Sequence, residues 1–324
     1  MNNRITIKDI AADVGVSVST VSYVLNDNKK FTISEQTRQK VLDAAERLGY
    51  VQNKNAAILR RGKSNTIGVV SYWDDSFVYS SFIKGIKETA AKKGYKIIIY
   101  SAADTVDIND CIGYYRDNML DAVIVIAPYG DNCKASVEDI VDRLCEMQVK
   151  YSVIGETADN SDHSFIINYF ESTYVATKYF ISKGITDITY VSPPIDVNER
   201  IERLDGYNRA MAENGLEIHF CEVADVEKEI DNFRAVVTNK SKTAHQILTC
   251  AAKKGIRVPD DFELIAGNTE YYSEYLYPPV TSVVIPAEEL GALAAQDVLN
   301  QIDGLDNVDA KKPEYKIRFM QSTR

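Results

Sequence analysis

The chain lacks any apolar run long enough to cross a bilayer. Its longest, Ala122–Ala127, falls far short of the roughly 20 residues that a spanning helix needs, so no membrane partner is expected. The first residues, MNNRITIKDIAADVGVSVST, hold no apolar core of a secretory leader, and a leader is therefore not expected. Cysteine is sparse and odd in number: Cys111, Cys133, Cys145, Cys221 and Cys250 show no metal-ligand spacing. They read as reduced thiols in a cytoplasmic protein. The histidines His163, His219 and His245 lie far apart and read as surface or core residues. Enzyme signatures are missing as well. There is no G-x-G-x-x-G after a strand, no phosphate loop of the Walker type, no H-E-x-x-H and no G-x-S-x-G. Carboxylates are plentiful but lack a placed partner, and they read as solvated surface. No catalytic residue, cofactor or metal is expected.

What is present is a charge split. The whole chain of 324 residues has a net charge of −10. Residues 1–63 carry eleven Lys/Arg against six Asp/Glu, net +5, and the remainder carries 26 against 41, net −15. A basic head on an acidic body points to a polyanion-binding module fused to something that is not one.

The head spells three short helices. Thr6 with Asp9 three residues on has capping-box spacing, and Ile7, Ile10, Ala11 and Val14 fall on one helical face before Gly15. Ser17 caps a second helix from Val18 to about Asn26, with Val21, Val24 and Leu25 inward. Ser34 caps a third, with Val41, Leu42, Ala45 and Leu48 inward, ending at Gly49. Residues 51–63 are polar and basic and read as a linker. Beyond it, short β-rich runs (IGVVSY, KIIIY, AVIVIA, YSVIG, FIIN, ITYV, AVVT, ELIA, TSVVI) alternate with helical stretches. KKGYK, SKGIT, ENGLE and KKGIR place glycine where a helix stops and a strand follows. This is the pattern of right-handed βαβ units and a mostly parallel sheet, an α/β fold. Periodicity leaves open whether the body is one large domain or two similar lobes.

Two helices joined by a three-residue turn with glycine, then a third, describe a helix-turn-helix, whose second helix would offer its N-terminal residues to base edges in the major groove. A small helical bundle for protein docking has the same periodicity. The longer string TIKDIAADVGVSVSTVSYVLN, continuing through ISEQTRQKVLDAAERLGY and NKNAAILRRGKSNTIGVV, resembles the DNA-binding head of LacI/GalR-family bacterial regulators. The resemblance runs to the FMQSTR tail and covers nearly the whole chain.

The resemblance implies a DNA-binding domain over 1–50, a hinge over 51–63, and a two-lobed effector-binding and dimerisation body of the periplasmic-binding-protein type I fold over 64–324. One lobe would span about 64–157 with a return near 286–312. The other would take about 158–285 plus the last strand. In the head, Ser17, Ser22, Asn26, Ser34 and Thr37 would hold phosphates, and Val18, Ser19 and Tyr23 would face bases. Tyr23 stands where the family usually has a guanine-reading Arg. Tyr50 and Asn53 match the start of the hinge. Ala56 and Leu59 match a minor-groove pair, Leu59 being an apolar wedge of the kind that kinks DNA. Gln52 and Ala57 replace the usual Pro and Arg.

In the cleft between lobes the resemblance implies Tyr72 and Phe77 as aromatic walls, with Arg203, Asn239, Lys240 and Thr269 around the effector. Lys240 and Thr269 stand where the family has Asp, and Gly155-Glu156 and Asn168 depart likewise. Fewer carboxylates beside Arg203 and Lys240 would favour an anionic sugar derivative, since such pairs are charge-assisted. The expected function is a ligand-responsive repressor of a carbohydrate-utilisation operon. It would bind a pseudo-palindromic double-stranded operator as a homodimer, with a sugar or sugar derivative as effector. The alternatives are a DNA-binding regulator controlled by a phosphoprotein corepressor, a cytoplasmic solute-binding protein, and a sugar-processing enzyme.

Overall fold

A computed structural model describes residues 5–25, 31–50, 63–72, 77–102, 106–127, 134–155, 163–195, 198–306 and 313–324. The chain divides into two compact units, Met1–Gly62 and Lys63–Arg324.

In the first unit, α1 (Ile7–Val14) starts at a capping box. The Asp9 carboxylate accepts from the Thr6 backbone N–H and hydroxyl, both at 2.8 Å, and these bonds hold its pKa below the ordinary value. Gly15 closes the helix at φ 71°, a left-handed conformation that favours glycine. Ser17 caps α2 (Val18–Leu25) by accepting from the Thr20 N–H at 3.0 Å. Ser34 caps α3 (Glu35–Arg47) by accepting from the Thr37 N–H at 3.2 Å. Ile10, Ala11, Val21, Val24, Val41, Ala44 and Ala45 form the buried cluster that the three helices share. Leu42, read from the sequence as inward, is exposed, and Ala44 takes its place. Val41, Ala44, Ala45 and Leu48 are the i, i+3, i+4, i+7 face of α3, and Leu42, one residue on from Val41, is turned about 100° away from it.

The second unit holds two sheets. The first has the order β2-β1-β3-β4-β5, from Thr66–Tyr72 (β1), Lys96–Ala102 (β2), Ala122–Ile126 (β3), Tyr151–Ile154 (β4) and Ser164–Phe165 (β5), all parallel. The second has the order β11-β10-β9-β8-β6-β7, from Ile188–Ser192 (β6), His219–Glu222 (β7), Ala235–Thr238 (β8), Glu263–Ala266 (β9), Thr281–Val284 (β10) and Lys316–Arg318 (β11). Only β11 in this sheet is antiparallel to its neighbour, as a final edge strand. The helices between strands are α4 (Phe77–Lys92), α5 (Val106–Arg116), α6 (Lys134–Glu146), α7 (Tyr169–Ser182), α8 (Asn198–Glu213), the short α9 (Val226–Glu229), α10 (Ser241–Lys254) and α11 (Ala287–Asp303). The glycines of the four repeated helix ends all have φ between 65° and 79°.

Two departures from the sequence reading concern boundaries. FIIN was expected as a strand, but pairing stops at Phe165 and Asn168 instead caps α7, accepting from the Glu171 N–H. Ser164–Phe165, beyond the expected lobe end near 157, pair with β4 in the first sheet. HFCE, which lacks strand periodicity, is β7 because it pairs with β6 along its whole length.

In each lobe glycine lets a pair of helices touch backbone to backbone. A Cβ on Gly85 of α4 would lie 1.9 Å from the Glu288 carbonyl of α11. A Cβ on Gly206 of α8 would lie 2.1 Å from the Phe170 carbonyl of α7. One buried apolar cluster runs through both lobes, joining Ile67 and Val69 of β1 to Tyr190 of β6 and Val237 of β8. It fixes the C-terminal strand ends, where open α/β sheets bind ligands.

Candidate functional site

The head offers one face of α2. Val18 and Ser19 are exposed, Val18 at 39%, while Ser22 and Tyr23 are partly exposed. Helical spacing puts Ser19 and Tyr23 one above the other, beside the capped start at Ser17. The Ser17 and Ser34 hydroxyls also contact those of Thr20 and Thr37, at 2.9 and 2.8 Å. Tyr50 packs partly buried against the head cluster. Asn26, Asn53, Ala56 and Leu59 lie outside the described residues. The sequence reading missed Phe31, whose ring stacks on Tyr23 with centroids 4.1 Å apart and planes 9° apart.

In the body, Arg203, Asn239, Lys240 and Thr269 gather at the C-terminal ends of β6, β8 and β9. Tyr72 ends β1 and Phe77 begins α4, and their side chains are outside the described set. Arg203 sits in the second turn of α8 and is fully buried. Its Nη1 donates to Ser172 Oγ at 2.8 Å and to the Gly267 carbonyl at 3.1 Å, tying α7 and the end of β9 to α8. Its Nε donates to Glu199 at 3.0 Å, and its guanidinium carbon lies 4.6 Å from the Tyr169 ring centroid. Arg203 Nη2 is buried with no hydrogen-bond partner among the described residues, close to the buried Ser192 and Tyr190 hydroxyls. A buried donor without an acceptor is costly, which makes this corner a candidate site for a polar ligand. Burial pushes the Tyr190 phenol up, against the pull of the Arg203 charge.

Glu199 changes the expected electrostatics. Its second oxygen lies 3.0 Å from Lys240 Nζ, so one carboxylate serves both cations. Burial alone would raise its pKa, but the charges of Arg203 and then Lys240 outweigh that, and the pKa is lowered. The positive potential expected of Arg203 and Lys240 together is thus offset by one charge. The i,i+4 spacing of Glu199 and Arg203 was the available signal. Two other candidates are structural in geometry. The Thr269 hydroxyl bonds Ser282 Oγ at 2.8 Å and the Val283 carbonyl at 3.2 Å, holding the loop to β10. Asn239 is buried and accepts from the Thr243 hydroxyl at 2.6 Å, at the start of α10.

Comparisons with known proteins agree with this build. Residues 6–53 match the family described as bacterial regulatory proteins, lacI family, and residues 177–322 match the periplasmic binding protein-like domain. The chain is 27% identical to the HTH-type transcriptional repressor PurR of Vibrio campbellii, with 97% of each chain covered. It is 27% identical to the catabolite control protein A of Priestia megaterium, over 99% of this chain and 100% of that one. It shares its fold with a lac repressor dimer solved with operator and the anti-inducer ONPF, at a TM-score of 0.75 and 19% identity, over 99% of each chain. The chain thus joins a lacI-family helix-turn-helix head to a periplasmic-binding-protein-like body in one polypeptide, the build of a ligand-responsive, DNA-binding transcriptional regulator.

Proposed function

We propose that the protein is a cytoplasmic repressor that binds a pseudo-palindromic operator as a homodimer and is controlled by a small polar effector in the body. The observation that carries the DNA half is the α2 face, where Val18 and Ser19 stand exposed and Tyr23 partly exposed beside the capped N-terminus. A helix presented in this way fits the major groove. Ser17, Ser22, Asn26, Ser34 and Thr37 would contact phosphates. Tyr50 and Asn53 would begin the hinge, and Ala56 and Leu59 would enter the minor groove.

The second copy is supported by apolar surface on edges. Ile98 and Ile99 of the edge strand β2 are 46% and 50% exposed, and Tyr271, Tyr275 and Tyr277, close together in the chain, are all exposed, Tyr277 at 93%. Large apolar side chains clustered in water mark interaction surfaces.

For the effector, Arg203 Nη2, which has no partner among the described residues, and Lys240, paired with Glu199 but with 38% of its side chain exposed, are candidate donors. They suit an acceptor-rich ligand such as a sugar or its acidic or phosphorylated derivative. Effector binding would bias two states of the protein that differ in operator affinity. Operator titration across salt tests the DNA half: with ~8 phosphates neutralised per dimer, log K falls with log salt at a slope of about −7. A slope near zero refutes it. Thermal-shift measurements with matched neutral and anionic sugars test the effector half, and no stabilisation by any of them refutes it.

A further inference from the structure

The Tyr23–Phe31 stack is a surface feature. Neither ring belongs to the buried cluster of the head, and Phe31 remains 49% exposed. The fold of the three helices therefore does not depend on the pair for its core, yet the rings lie face to face at 4.1 Å and 9°. What the stack does fix is the Tyr23 side chain. An unsupported tyrosine on a helix surface samples several staggered rotamers, and its hydroxyl sweeps across several ångströms. A second ring covering one face selects a single orientation and places the hydroxyl at one point in front of α2. A lone hydroxyl makes a single hydrogen bond and cannot make the bidentate contact of a guanidinium with guanine. Its discrimination between bases then depends on how narrowly it is positioned.

We propose that Phe31 is a positioning residue that sets operator specificity: its ring holds the Tyr23 phenol in one orientation, so that the hydroxyl reads a single base pair in each half-site. The proposal rests on the reading of α2 as the major-groove helix.

Binding-site selection with the intact protein tests it, using the parent, Tyr23→Phe, Phe31→Leu and Phe31→Tyr. Leucine keeps apolar bulk and removes the ring; tyrosine restores a ring. Tyr23→Phe removes the hydroxyl and keeps the stack. Tyr23→Phe and Phe31→Leu should each flatten the preference at the same base pair of the half-site by about three- to tenfold, the scale of losing one directed base contact. Phe31→Tyr should restore the parental profile. Affinity for random DNA and the melting temperature should stay at parental values, since the core is untouched.

Three outcomes overturn the proposal. If Tyr23→Phe leaves the profile unchanged, Tyr23 does not read a base and the α2 reading fails at that residue. If Tyr23→Phe flattens one position while Phe31→Leu flattens none or a different one, the positioning role of Phe31 fails while the α2 reading stands. If Phe31→Leu weakens specific and random DNA equally and lowers the melting temperature, Phe31 is a packing residue.

Discussion

Replacing Glu199 with alanine removes the carboxylate that Arg203 and Lys240 share. The two pairs are not equal. Arg203 is fully buried and Glu199 nearly so, with 14% of its side chain exposed, at a separation of 3.0 Å. Removing one partner of a buried ion pair costs about 3–5 kcal/mol, because the other charge stays behind. The lower end applies, since Arg203 keeps Ser172, the Gly267 carbonyl and the Tyr169 ring. Lys240, at 38% exposure, can turn to water, and its pair contributes no more than about 1 kcal/mol. For a unit the size of Lys63–Arg324 each kcal/mol moves the melting temperature by about 2 °C. Glu199→Ala should therefore melt about 6 °C below the parent at pH 7, and Lys240→Ala within about 2 °C of it. The pH dependence follows from the lowered pKa of Glu199. A carboxylate whose folded pKa lies below its unfolded value of about 4.3 contributes stability above that pH, and the contribution is lost as pH falls through the folded pKa. The gap between parent and Glu199→Ala should thus be constant near neutrality and narrow below about pH 4.3. Calorimetry of the intact protein at pH 7 and in acid measures this. A Glu199→Ala variant within about 1 °C of the parent at pH 7, or a gap that widens in acid, would refute the reasoning.

The close helix pairs give a second expectation. Gly85→Ala and Gly206→Ala each force a methyl into a facing carbonyl and should lower body stability by about 2–3 kcal/mol, the scale of overpacking; an unchanged urea midpoint for either would show that the helices slide apart without cost. A third concerns Asp297, which is fully buried, accepts from Ser152 Oγ and Gln301 Nε2, and lies 2.9 Å from His163 Nδ1. Asp297→Ala leaves the buried Ser152 hydroxyl and the half-buried Gln301 amide without their acceptor and should cost about 2–3 kcal/mol in urea unfolding, and a variant as stable as the parent would mean that water replaces the carboxylate.

Local rules made the head legible. The Thr6/Asp9 box and the Ser17 and Ser34 caps depend on residues three apart, Gly15 on its own freedom at positive φ, and all of them appear in the structure where the sequence puts them. The strands of the body were legible where β-branched runs are buried on both faces, as in AVIVI of β3. HFCE was not, because β7 is an edge strand held by its pairing with β6. Leu42 was misread because it sits beside Val41 at the edge of the stripe, and only the packed structure shows Ala44, not Leu42, inside the shared cluster.

For the site, residue types in a long, specific string were enough to indicate a DNA-binding head on a ligand-binding body. The sequence by itself determined the helix-turn-helix, the charge split and the alternation of strands and helices, because each follows from neighbouring residues and composition. Only the tertiary structure decided that Glu199 serves both Arg203 and Lys240, that Thr269 and Asn239 bond their own framework, and that Phe31 covers Tyr23. Arg203 and Lys240 are far apart in the chain and share a carboxylate only because β6 and β8 are adjacent in the sheet. Partners of that kind are fixed by sheet order and helix packing, which no local spacing encodes.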